Sequence, residues 1–395
     1  MGSKRAFVFA AIAFASFYVI MLCAIGYATV FLRAAGASKA GSGTIVAIAC
    51  IVAAVFQPVL GRVCDRLKSV DWKRLSLILS VFLLIVFLGV FFAENTLLIV
   101  LFFIAIILAY CINPFLNECS FYYERNGIHV NFGIVRGVGS FSYALISYLF
   151  RFANLEENTR ALVSTGIVAT VILIVSIIVL PRVKGAVSST HKEKKSEIKE
   201  IDTFFKRYKV FMLFWFALIF IMTFQNLFSA NLIDIVEKAG GDVSTMGVAL
   251  SLAAVVELPV MFLFSRIMKK LSPERLLLIG AFFYIVRCVL FLVANSMALI
   301  YVAQAFQMLT YAVVTPASVY LSDKLIDKEF SNTGQALVAF TVTAGTVLGF
   351  FIGGLTAERG GATRVLIAGL IITIVGFILM LIANIISKRS KNVSG

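Results

Sequence analysis

The sequence predicts an all-α integral membrane protein, with twelve transmembrane helices in two pseudo-symmetric six-helix bundles. Three observations carry this. The 395 residues are 61% hydrophobic and 14% charged, with a mean hydropathy of +1.00, whereas a soluble domain is about 45–50% apolar and about 25% charged. Apolar stretches of the ~20 residues that cross a bilayer core follow one another almost end to end. One long hydrophilic stretch, Arg182 to Lys209, contains His191-Lys-Glu-Lys-Lys-Ser-Glu and divides them six and six. The same composition excludes disorder and a secreted disulfide scaffold.

Taken in order, the spans fall at 6–32, 43–64, 74–93, 96–122, 133–152 and 161–181. The second set is 209–233, 244–268, 274–294, 297–321, 331–356 and 362–386. The chain therefore divides into a bundle at 1–181, a central loop at 182–208 and a bundle at 209–395. Lys4 and Arg5 precede the first span, but that span is too long for a signal peptide and lacks a small-residue cleavage pattern. Only Glu94-Asn95-Thr96 divides spans three and four, and only Asn295-Ser296 divides nine and ten, so each pair reads as a tight helical hairpin.

Basic residues near span ends set orientation. With the N-terminus inside, 26 of the 35 Lys and Arg fall on the cytoplasmic side, 7 outside and 2 within spans. Both termini are therefore expected in the cytoplasm. The net charge of +15 is then a topology signal matched to an anionic leaflet, and no nucleic-acid partner is expected. The six cysteines lack paired spacing, and His129 and His191 both fall in cytoplasmic segments. Metal sites and mid-membrane histidine chemistry are excluded. Without a P-loop or a Gly-rich fingerprint, no cofactor is expected, and ATP-driven transport and enzymatic catalysis are not.

Shifting the sequence by 201 superposes Val55-Phe-Gln-Pro58-Val59 on Val256-Glu-Leu-Pro259-Val260, Arg74-Leu75 on Arg275-Leu276, and Asn131-Phe-Gly133 on Asn332-Thr-Gly334. Duplicated six-span halves suggest alternating access around a midplane site. Glycines spaced as in Gly349-x-x-x-Gly353 suit close helix packing.

Gly61-Arg-Val-Cys-Asp65-Arg66-Leu, after Phe56-Gln57-Pro58, resembles the loop 2–3 signature of the major facilitator superfamily. The resemblance implies a latch in which Gly61 lets helices approach and Asp65 and Arg66 hold the halves by charge. Its counterpart, Ser265-Arg266-Ile-Met-Lys269-Lys270, keeps only basic charge. Asn117-Glu118 followed by Asn131-Phe132-Gly133-Ile-Val-Arg136 and, seven residues on, Tyr143 resembles the lactose permease group of oligosaccharide:proton symporters. There an acid and an arginine eighteen residues apart hold the sugar and an aromatic ring stacks on it. The resemblance implies substrate contacts for Glu118, Arg136 and Tyr143, and by context for Glu257, with Arg287 serving coupling.

The departures are equally informative. Gln304, Gln307 and Thr310 stand where that group carries a histidine and a glutamate for protons, and Gln225-Asn226 replaces its aspartates. This pattern also resembles the nucleoside:proton symporters, since amides bind sugar hydroxyls and base edges alike. The expectation is a monomeric secondary transporter of a small hydroxylated solute, with Gln225, Asn226, Gln304 and Gln307 lining one wall. Nucleoside symport is the alternative, and a uniporter or efflux transporter would share the architecture. A charge at mid-bilayer costs at least about 2.5–3.5 kcal/mol and is a functional candidate by default. The coupling ion is expected to be a proton on Glu257, with Glu118 next in line and sodium ranked below, because no basic residue in the span of Glu257 neutralises it and burial favours a neutral carboxyl.

Overall fold

The computed structural model describes residues 2–66, 72–153, 155, 158–181, 207–327 and 330–393. Every regular element among them is helical. Most of the central loop lies outside the described residues. Such a fold satisfies each backbone group within its own segment, as hydrocarbon requires.

Span one is α1 (Gly2–Met21), a π-turn at Leu22–Gly26, and the short α2 (Ala28–Ala34). Spans two to six are α3 (Lys39–Arg66), α4 (Trp72–Phe92), α5 (Asn95–Arg125), α6 (Phe132–Leu149) and α7 (Thr159–Val179). Span seven is α8 (Lys209–Ala230) with the short α9 (Leu232–Lys238), followed by α10 (Val243–Met268) and α11 (Pro273–Val293). Span ten is broken into α12 (Met297–Ala305), a 3-10 turn at Phe306–Leu309 and α13 (Tyr311–Leu325). The last continuous element, α14 (Ser331–Val393), contains non-helical backbone at Gly360 and Gly361. Gly361 has φ 61° and ψ −160°, a combination open only to glycine, so α14 is two helices joined at a corner. Among the described residues, eleven elements are long and apolar enough to cross a membrane; dividing the 57-residue last one there gives twelve. The α4–α5 hairpin turns on Asn95 at φ 52°, a left-handed conformation that asparagine tolerates.

The repeat is written in the backbone. Span one breaks at Tyr27, resumes for seven residues and ends at Gly36 with φ 93°; span seven breaks at Asn231, resumes for seven and ends at Gly240 with φ 83°. These features lie 204 residues apart. Helical prolines follow at Pro58 and Pro259, 201 apart, and at Pro114 and Pro316, 202 apart. The second copy is three residues shorter between the start of α10 and Pro259.

The chain forms two compact units. The first comprises Met1–His191 with Val243–Val255, the second Lys192–Asp242 with Val256–Gly395. The division at 209 expected from sequence therefore differs by the first half of α10. That segment joins the first unit through contacts such as Ser147 Oγ, which donates to the carbonyl of Gly247 at 2.9 Å.

Within the second unit α8 runs along the first part of α14. Cβ atoms added at Gly345 or Gly349 would fall 2.5 Å from Met222 Cβ and 2.6 Å from the Leu227 nitrogen. Glycine there permits backbone-to-backbone packing, as the spacing predicted. Large apolar side chains such as Phe82, Phe92, Phe262 and Ile371 remain exposed, as lipid-facing surfaces require. Ahead of α8, Tyr208 donates to Asp327 Oδ2 at 2.7 Å and packs among Phe211, Met212 and Ile326. Burial, with the adjacent carboxylate, raises the pKa of that hydroxyl.

Candidate functional site

In the second unit the site is organised by one cation. Arg287, on α11, is 1% exposed. Its Nη1 donates to Gln307 Oε1, to Gln225 Oε1 at 3.3 Å and to Thr310 Oγ1 at 3.3 Å. Its Nη2 donates to Gln304 Oε1 at 2.6 Å. The guanidinium carbon lies 4.8 Å from the Phe228 ring centroid and 5.6 Å from that of Phe291, and the two rings stack at 4.4 Å. Amide dipoles and aromatic faces thus replace the hydration a buried guanidinium loses, an arrangement that suits arginine's planar fork.

The break in span ten explains how three of these acceptors converge. Gln304 lies in the last turn of the α-helical part, Gln307 sits in the tighter 3-10 turn and Thr310 closes it, and all three meet Arg287. Thr310 maintains the break: its hydroxyl donates to the Phe306 carbonyl at 3.0 Å, and its backbone, at φ −106° and ψ −95°, leaves the helix. Tyr284, one turn before Arg287, donates its hydroxyl to Gln225 Oε1 at 3.1 Å.

Glu257, half-buried on α10, accepts from Gln307 Nε2 at 2.6 Å. This corrects the expectation of a carboxyl without a partner. Charge is neutralised between helices, not along one: a single amide joins a carboxylate on span eight to a guanidinium on span nine. The order is forced. Arginine offers only donors, so the Gln307 oxygen must face it and the NH2 group is left for Glu257.

Asn226 does not share this wall. Adjacent helical residues point about 100° apart and do not face one another. While Gln225 meets Arg287, Asn226 donates to the Met222 carbonyl at 2.9 Å and accepts from Thr346 at 3.2 Å on α14.

In the first unit Glu118 and Arg136 are not paired with each other. Glu118 forms an ion pair with Arg125, two turns along its own helix and on the same face. Arg136 Nε donates to the Tyr18 hydroxyl at 3.1 Å. The hydroxyl of Tyr143 lies against the π-turn, where a Cβ on Gly26 would come within 2.7 Å of it. Arg136, Gly139 and Tyr143 thus run along α6 against Tyr18 and Gly26, and one turn of π-helix, a form frequent at functional sites, receives the last of them.

The latch residues fare differently. An added Cβ at Gly61 would meet nothing within 4 Å among the described residues. The side chains of Asp65 and Arg66 lie outside the described residues. No cluster that could hold a metal occurs among the described residues.

Sequence reading missed Tyr18, Tyr284, Phe228 and Phe291. The spacing of three in Gln304, Gln307 and Thr310 was the available signal for the break, and the i+4 step from Arg287 to Phe291 for its aromatic cover.

A buried ionic and amide network in a twelve-helix membrane fold defines a transporter of the major facilitator type. Residues 10–368 match the family described as MFS_1 like, and the chain belongs to that family. No curated protein sequence matches it. Among solved structures it is similar to the nucleoside transporter NupG as a D323A mutant, with TM-score 0.79, 15% identity and coverage of 97% of this chain and 99% of that one. It is also similar to unmutated NupG, with TM-score 0.77, 14% identity and coverage of 96% and 98%. A bacterial homologue of the human lysosomal transporter Spinster gives TM-score 0.70 at 12% identity, covering 97% of each chain.

Proposed function

We propose that the protein is a proton-coupled symporter, monomeric in the plasma membrane with both termini cytoplasmic, and that its substrate is a nucleoside. The observation that carries the reading is the line Glu257–Gln307–Arg287, flanked by Gln225 and Gln304. Ionised Glu257 balances Arg287 through one amide. Protonating it leaves the cation with neutral partners, so occupancy of Glu257 by a proton changes the charge of the site by one unit. That is the property a coupling residue needs, and the membrane potential contributes about 2.3 kcal/mol per charge per 100 mV.

Nucleoside is favoured over oligosaccharide for two reasons. The acid and arginine that would clasp a sugar are engaged separately, Glu118 with Arg125 and Arg136 with Tyr18. The second unit instead concentrates amides, which suit base edges. The structural similarity to the nucleoside transporter NupG agrees with this reading.

Glu257→Gln is expected to keep exchange of labelled uridine across proteoliposomes and to lose uphill accumulation under an imposed proton gradient. Accumulation at the wild-type level in that variant places the proton elsewhere.

A further inference from the structure

Arg287 does more than carry charge. It presents only N–H groups, so each amide that touches it must turn its oxygen inward. Gln225 and Gln304 do so, and Tyr284 donates to the same Gln225 oxygen. With both oxygens committed, Nε2 of Gln225 and Nε2 of Gln304 face away from the guanidinium, and neither has a hydrogen-bond partner among the described residues. Gln304 is 1% exposed, yet its NH2 group is not among the fully buried polar atoms that lack a partner, so it keeps contact with solvent, and an acceptor on a ligand can take the place of that solvent. Gln307 contributes less, since Glu257 takes one of its two N–H donors.

We infer that Arg287 is a positioning residue that fixes the polarity of Gln225 and Gln304, so that the site presents a face of donors and selects solutes through acceptor oxygens. This rests on the nucleoside reading and narrows it. The preferred bases carry a carbonyl at the position where their counterparts carry an amino group, O4 in uracil and O6 in hypoxanthine. Their amino counterparts, cytosine and adenine, place an N–H donor where the protein already offers one. Two opposed donors leave both groups unpaired, and sites built around a specific hydrogen bond reject such analogues strongly. A free glutamine amide would flip to suit either base; one whose oxygen is held by a guanidinium cannot.

The test is equilibrium binding of two shape-matched pairs, uridine with cytidine and inosine with adenosine, to the full-length protein in detergent. Wild type is expected to bind the carbonyl member of each pair about tenfold or more tightly than the amino member, the fold-change that opposing donors impose. Arg287→Met frees the amides and should bring each ratio to within about twofold of one. If that variant does not fold, Gln304→Leu and Gln225→Leu carry the test, each lowering carbonyl affinity while changing amino affinity by less than about twofold. Equal affinities within both pairs in wild type overturn the inference and leave nucleoside binding standing. Retained selectivity in folded Arg287→Met, or in both leucine variants, overturns it as well. Binding of none of the four compounds overturns the nucleoside reading and the inference with it.

Discussion

The two units began from one plan and diverged in where they keep their charges. Both open with a long helix that breaks, resumes for seven residues and stops at a glycine with positive φ, 204 residues apart. Each unit has a partly exposed ion pair among its described residues, Glu118 with Arg125 at 29% and 38% of the side-chain surface in the first and Arg207 with Asp327 in the second, but the second adds a buried charge. The second unit encloses Arg287 almost completely and links it to a carboxylate through Gln307. Backbone devices that shape the helices are shared between the copies, whereas the buried network around Arg287 is described in the second alone. A second difference accompanies the first: α5 runs unbroken past Pro114, while span ten yields to a 3-10 turn before Pro316. The broken copy is the one that gathers acceptors around a cation.

The largest expected effect comes from cutting the amide link. Gln307→Leu deprives Arg287 of an acceptor and Glu257 of a donor at one stroke, and each unpaired buried group costs about 1–3 kcal/mol, more when charged. Thermal unfolding in detergent should drop by several degrees and coupled uptake should fall together with it. A melting temperature equal to wild type would mean that Gln307 does not join the two ions. The corresponding cut in the first unit should be mild. Glu118→Gln removes a partly exposed pair worth less than about 1 kcal/mol, so stability should change little. A destabilisation as large as that of Gln307→Leu would erase the contrast between the units.

Most of this contrast was half-visible in the sequence. The twelve spans follow from hydropathy, since a bilayer imposes length directly, and the break at Gly360-Gly361 falls between the expected segments at 331–356 and 362–386. Glu257, Arg287, Gln225, Gln304 and Gln307 were legible as candidates because a polar group in an apolar run is costly wherever it points. Their grouping was not legible, because helix rotation decides it. Asn226 neighbours Gln225 in sequence yet faces α14, and the convergence of Gln304, Gln307 and Thr310 depends on a local change of helical pitch. The partner of Glu118 was not legible for a related reason: the resemblance grouped it with Arg136 as a substrate contact, and the helix-face pairing with Arg125 shows only in the structure.

The central claim is that a proton on Glu257 accompanies the substrate. The most direct measurement adds uridine to proteoliposomes that carry no imposed gradient and records external pH. Uridine-dependent alkalinisation in wild type, absent in Glu257→Gln although labelled uridine still exchanges, is the predicted result. Exchange of uridine by wild type with no movement of protons would contradict it.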